Sequence, residues 1–279
     1  MNARAETLVR TLLEDLDAGR LELPTLPEVA LRVRDVVESE SSSARDIAEA
    51  VSSDPALAAR LIQVSNSPLY RGRREVDDVQ SAVVRLGREL VRTLVTSLAM
   101  RQMFQATTEA VDRRLRELWS HSVQVAAISR ALADQQGLAP DRAMLAGLVH
   151  DVGALPLLVR AEEDEALLAD EAAFDALVRE LHPALGRAIL ERWGLPDYLV
   201  AVAAEHEDLA RDPGTPPDYV DVVIVANLQS RMGSEHRHAA VDWSQVAALQ
   251  RLSLEDDVST VELAAGSDEA REVEALLSG

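Results

Sequence analysis

Apolar residues recur at three- and four-residue intervals along nearly the whole chain, the pattern of helices with one buried face. Leu8, Leu12, Leu13 and Leu16 make the first stripe and predict an N-terminal helix within residues 1–20. Pro27 and Glu28 open a second helix carrying Val29, Val33, Val36 and Val37. Proline suits the first helical turn because its missing N–H would have no intrahelical partner there. Ser43 and Asp46 have capping-box spacing ahead of Ile47, Ala50 and Val51. Asp54-Pro55 is a second clear start, and that helix stops near Asn66-Ser67-Pro68. A polar loop at Arg71–Arg74 precedes a helix ending at Gly87, and another runs on to about Phe104. A long helix is predicted from Val111 to Asp134, closed by Gly137. Asp141 begins a helix toward His150, and Pro183 and Pro196 each mark a further helix start. Asp212–Asp218 is a loop, Tyr219–Met232 a helix, and the acidic tail one or two helices. No strand alternation stands out, and Val222–Val225 fits a buried helix. The prediction is an all-α protein.

Composition narrows the chemistry. Among 279 residues there is no cysteine, which excludes disulfides, thiolate ligands and cysteine nucleophiles. There is no lysine, so all 28 basic residues are arginine and Schiff-base chemistry is excluded. A net charge of -20 disfavours non-specific DNA binding, which needs phosphate neutralisation. Aromatics at 3% disfavour base-stacking surfaces. The N-terminus mixes acids with bases and lacks the apolar core of a signal peptide. No uninterrupted apolar run reaches spanning length. The expectation is a cytoplasmic protein with no membrane association. Charge is uneven: Arg60–Arg116 holds eleven arginines against six acids. Arg71, Arg73, Arg74, Arg85, Arg88 and Arg92 within that band are candidates for docking an acidic or phosphorylated partner, because guanidinium forks fit carboxylate and phosphate.

Histidine carries the remaining chemistry. His150 and Asp151 are adjacent between Leu148-Val149 and Val152-Gly153. Neighbours on a helix point about 100° apart, so this pair converges only at a helix end or in a cleft. A buried imidazole beside a carboxylate needs a hydrogen-bond network or a metal. His121, His182 and His206 each fall on or near a predicted helix. His236 and His238 read as polar-loop residues without a role.

The order of these residues resembles the HD superfamily of helical metal-dependent phosphohydrolases. Leu23-Pro24-Thr25-Leu26-Pro27, Asp54-Pro55-Ala56-Leu57, Leu61–Ser67 and Val83–Gly87 resemble the HDOD domain of bacterial signalling proteins. The resemblance implies a helical N-terminal bundle packed on an HD-like core. It implies a domain over 21–215, with halves at 21–108 and 109–215, and an acidic helical extension at 216–279. By position, His121, His150, Asp151, His182 and His206 match the HD metal ligands, and Asn227 stands in place of the final aspartate. Ala154 stands where active HD-GYP relatives carry a lysine. Glu205 stands where they carry the first of two adjacent histidines, and so offers a substitute ligand. The resemblance implies a non-catalytic signalling module acting through signalling proteins or a bound nucleotide, with no metal or one divalent ion (Fe, Mn, Mg or Zn). Its alternative is a metal-dependent phosphohydrolase acting on a nucleotide or cyclic dinucleotide. Residues 1–20 are too short for a receiver domain, so the signal is expected from a separate component. An apolar face on the C-terminal helices would suit a homodimer.

Overall fold

Local signals in the chain set the helix ends seen in the computed structural model. It describes residues 23–39, 41–103, 108–163, 167–234, 237–254 and 258–278, with 11, 12, 14, 15 and 18. Most of the predicted N-terminal helix therefore lies outside the described residues. Helix α1 spans Glu28–Glu38, α2 Ala44–Ser52 and α3 Pro55–Ser65. The Ser43–Asp46 capping box is formed in both directions. Asp54 Oδ1 accepts from the Ala56 and Leu57 amides at 2.8 and 3.2 Å. Helix α4 runs Val79–Met103 with a break at Gly87, whose φ of 76° and ψ of 166° are non-helical. Glycine takes that left-handed φ without a Cβ penalty. Helices α1 to α4 pack on one another as an N-terminal bundle.

The second half is built around α5, Glu109–Gln135, the longest helix among the described residues. It packs along α6 (Pro140–Val149), and α4 bridges the bundle to α6. A single 3-10 turn, Val152–Ala154, leads into α7 (Leu155–Glu163). Helix α8 spans Glu171–Arg192 and α9 Asp197–Glu205. Helix α8 corrects the expectation of a start at Pro183: Asp170 caps it, accepting from the Ala173 amide at 3.0 Å, and Pro183 lies inside. Helix α10 (Tyr219–Ser230) packs on α5 and α6. The chain closes with α11 (Ala247–Arg251), α12 (Val258–Ala265) and α13 (Asp268–Ser278), the last two lying against α5. No strand occurs among the described residues. Pro140–Glu162 is long and apolar enough to cross a membrane, but the 3-10 turn interrupts it and most of it is buried in the protein core.

Two close approaches position the site. A Cβ on Gly147 of α6 would lie 2.8 Å from the Ala126 backbone of α5. A Cβ on Gly153 would lie 1.9 Å from the His182 carbonyl oxygen of α8. Only glycine admits backbones at these separations. Helix α10 is buried on all sides from Val220 to Leu228, with Asp221 and Asn227 the polar exceptions. Asp221 is matched by Arg251, at 2.8 and 3.1 Å, and its Oδ2 accepts the Asp218 amide at 2.8 Å. This network anchors the start of α10 and so holds Asn227 in register.

Candidate metal centre

His121 lies within α5, His150 caps the C-terminal end of α6, and Asp151 follows as the chain turns. His182 comes from α8, and His206 caps the end of α9. All four histidines are buried and surround one carboxylate. Asp151 Oδ2 lies 3.2 Å from His150 Nε2 and 3.6 Å from His121 Nε2. Asp151 Oδ1 lies 3.2 Å from His206 Nε2 and 3.4 Å from His182 Nε2. The pair His150-Asp151 thus converges at a helix end, as adjacent positions require.

The far side of each ring fixes its tautomer. His150, His182 and His206 place Nδ1 at 2.7, 2.9 and 3.0 Å from the carbonyls of Gly147, Val178 and Val202. A carbonyl only accepts, so each Nδ1 carries the proton. His121 Nδ1 sits 3.3 Å from Ser230 Oγ, whose own proton goes to the Asn227 carbonyl at 2.8 Å. Its Nδ1 therefore donates too. Four Nε2 atoms face the carboxylate, and a neutral Nε2 offers it a lone pair. Lone pairs on nitrogen and carboxylate oxygen repel at these distances unless a proton or a cation lies between them.

Protons supply part of the answer. Burial alone would raise the Asp151 pKa, but the surrounding imidazoles of His150, His206 and His182 outweigh it and hold the carboxyl well below its usual range. Burial opposes charge on His206, yet its bond to Asp151 raises its pKa above the ordinary value. His182 is lowered by burial and by His206, whose Nε2 is 3.1 Å away. His150 Nε2 and Asn227 Oδ1 are buried with no hydrogen-bond partner among the described residues. Imidazole nitrogens with a carboxylate suit borderline divalent cations such as Fe, Mn or Zn. Two overlapping triads, His121-His150-Asp151 and Asp151-His182-His206, hold their donor atoms within 4.8 Å of one another and share Asp151. The donor set fits a metal.

Asn227 lines the same cavity of about 540 Å³ as Asp151 and His182. Ala154 lines it as well and supplies no titratable group. Glu205 does not substitute for a histidine: it is half-exposed and binds Arg211 at 2.5 Å, because α9 ends there and turns its side chain outward. Glu207, two residues on, instead turns inward. Its Oε1 is 3.9 Å from His206 Nε2, and its Oε2 is 3.3 Å from His238 Nε2. Burial resists its ionisation, but the bond to His238 and the charge of His206 pull its pKa down to about 2. His238 is therefore a buried neighbour of the centre rather than an exposed loop residue. His236 lies outside the described residues. Sequence reasoning also missed Ser230, although its three-residue spacing from Asn227 places both on one helix face.

Three of the six band arginines are turned inward, which removes them from any docking face. Arg88 binds the carbonyls of Val37 and Ser39 at 2.9 and 2.8 Å, and that of Ser42. Arg85 reaches Ser65 O at 3.0 Å and Arg74 O at 2.5 Å. Arg92 is buried, pairs with Glu89 and donates to the Tyr198 hydroxyl at 3.2 Å. Two of the three thus serve carbonyls at or just past helix C-termini, which have no intrahelical donor. Arg71, Arg73 and Arg74 are exposed.

Known proteins share this architecture. The chain is similar over its length to a candidate metal-dependent phosphohydrolase from Shewanella amazonensis SB2B, at 30% identity and a TM-score of 0.83, covering 99% of this chain and 100% of that one. It is similar to an HDOD domain protein of unknown function from Geobacter sulfurreducens, at 25% identity and a TM-score of 0.69, covering 98% and 96%. An uncharacterized protein of Treponema pallidum (strain Nichols) is 25% identical over 224 residues, 75% of this chain, which spans 42% of that protein. The HDOD domain family profile matches residues 23–209, so it includes four histidines and Asp151 of the centre and stops short of Asn227. With two-thirds of its length matched and the helical HD-type centre in place, the chain belongs to the HDOD domain family.

Proposed function

We propose that the chain is a signalling domain that holds a divalent metal on its His/Asp centre and recognises a ligand in the adjoining cavity, without efficient turnover. One observation carries this reading: four histidines, each with Nδ1–H anchored, direct Nε2 at Asp151. His121, His150, Asp151, His182 and His206 would hold the ion (Fe, Mn, Mg or Zn), with Asn227 beside it. The shared Asp151 gives a second ion a place in the other triad. Such an ion, when bound, neutralises charge on an anionic ligand and acidifies bound water. The protein's own residues contribute orientation: the anchored Nδ1 atoms lock each ring, and Asn227 turns a neutral oxygen to the cavity. Ala154 offers no proton to a leaving group, and general acids are worth about 10²–10⁴-fold. A metal-dependent phosphohydrolase is the second reading, favoured by the cavity that reaches Asp151 directly.

Signalling proteins remain the proposed partners, with Arg71, Arg73 and Arg74 the exposed part of the docking band. A cytoplasmic location goes with that proposal. The test is metal analysis of purified chain, followed by hydrolysis assays with manganese or iron. Metal at one or more ions per chain, lost in Asp151→Ala, with negligible turnover, is the expected result. A metal-free wild type indistinguishable from Asp151→Ala defeats the metal centre. Fast turnover abolished by Asp151→Ala replaces the first reading with the second.

A further inference from the structure

The cavity beside Asp151 is lined by three guanidinium groups, those of Arg114, Arg179 and Arg231. Each shares a helix face with a residue of the centre. Arg114 precedes His121 by seven residues on α5, and Arg179 precedes His182 by three on α8. Arg231 follows Asn227 by four at the end of α10. Spacings of three, four and seven put side chains on one face of a helix. Three of the five helices that bring ligand-type residues to the centre therefore also bring an arginine to the cavity.

The three arginines are held differently from one another. Arg114 is held by Asp175 at 2.7 Å and lies over the Phe174 ring. Arg179 and Arg231 form no direct ion pair among the described residues, although Asp151 and Glu207 act on the Arg231 charge from across the cavity. Arg231 is half-buried, and its Nε is buried without a hydrogen-bond partner among those residues. A buried donor left without an acceptor is costly, and a ligand oxygen would remove that cost. The acids lining the same cavity are largely committed: Asp151 to the imidazoles, Asp175 to Arg114, Glu207 to His238. Glu117 is the remaining one. A volume of about 540 Å³ admits a small molecule. Guanidinium planes match phosphate oxygens in pairs.

We infer that Arg231 and Arg179, beside Arg114, form an anion subsite at the mouth of the cavity, for a phosphorylated small molecule with a second anionic group directed at the His/Asp centre. The inference rests on the proposed metal reading only for that second group. The probe is inorganic pyrophosphate, compared with inorganic phosphate, titrated calorimetrically into the full chain as purified, with metal content measured on the same samples. Wild type binds pyrophosphate more tightly than phosphate. Arg231→Gln weakens pyrophosphate about tenfold or more and Arg179→Gln severalfold, with metal content and melting temperature unchanged. Arg179→Gln alters an exposed side chain, so the test stands even where Arg231→Gln does not fold. Wild-type affinity in both variants, or no pyrophosphate binding by wild type, overturns the subsite while leaving the metal reading intact. Metal-free protein that still binds pyrophosphate through Arg231 supports the subsite and defeats the metal reading instead.

Discussion

The arginines of the N-terminal bundle and the histidines of the centre are both polar groups carried into the interior, and they end in opposite ways. Arg88 satisfies three backbone carbonyls at the α1–α2 junction, and Arg85 serves the end of α3. Arg34 does the same for the Trp193 carbonyl beyond α8. Each of these guanidiniums meets acceptors of its own chain. The histidines are held differently on their two sides. Their Nδ1 atoms are anchored, while their Nε2 atoms face Asp151 at 3.2–3.6 Å. Buried polar groups that find complementary partners hold a fold together; groups aimed at one another with like lone pairs need a proton or a cation between them. Residue type does not separate the two cases, since both arginine and histidine look functional in a sequence. The identity of the partner does.

The sharpest break in this comparison is Gly153→Ala. Its Cβ would sit 1.9 Å from the His182 carbonyl, so the turn carrying Asp151 must part from α8. A loss of more than about 4 kcal/mol, or no folded protein, is expected from thermal melts; native stability would mean that the close approach is wrong. Next comes Arg88→Ala, which strips three carbonyls of their donor. It should cost about 2–4 kcal/mol in urea denaturation and leave metal content unchanged. A change in metal content there would erase the distinction between the regions. Ser230→Ala does the reverse. It removes the acceptor that orients His121 and should weaken metal binding about 10–100-fold by competition with a chelator, with little change in folding.

The smallest effect lies where the regions meet. Burial raises the Tyr198 pKa, against the lowering by Arg92 and Arg142, to about 12. A phenol whose folded pKa is raised stabilises the fold fully below its unfolded value of about 10, and that stability is lost as pH rises toward 12. At pH 11 wild type should therefore have lost about 1 kcal/mol that Tyr198→Phe does not lose. Denaturation curves of both proteins at pH 8 and pH 11 measure the difference; parallel losses would show that the ring is more solvated than its packing indicates.

Much of the fold is legible in the sequence because helix starts are local events. The Ser43–Asp46 box and the Asp54-Pro55 cap act over two or three residues, and both form. The order His121, His150-Asp151, His182, His206 is likewise readable, as is the break at Gly87. Pro183 misleads because a cap at Asp170 overrides it from thirteen residues upstream. The choice between Glu205 and Glu207 depends on where α9 ends, and that register is not written in residue type. His238 reads as loop because its partner, Glu207, lies 31 residues away in sequence. The arginine band fails for the same reason on a larger scale: Arg88 answers to carbonyls 46 to 51 residues earlier, and Arg34 to one 159 residues later.

By itself, then, the sequence determined an all-helical chain, a lysine- and cysteine-free chemistry, and an ordered set of imidazole and carboxylate side chains. Periodicity and capping act within about one helical turn, so they survive without tertiary context. The tertiary structure decided which of those groups meet. It needed Gly147 and Gly153 to let backbones approach, and α10, beyond the family match, to bring Asn227 and Ser230 alongside. It also decided that Arg88 closes a helix end while Arg231 faces a cavity. Those outcomes depend on packing between surfaces remote in sequence, where a side chain's role is set by whichever acceptor the fold places within reach.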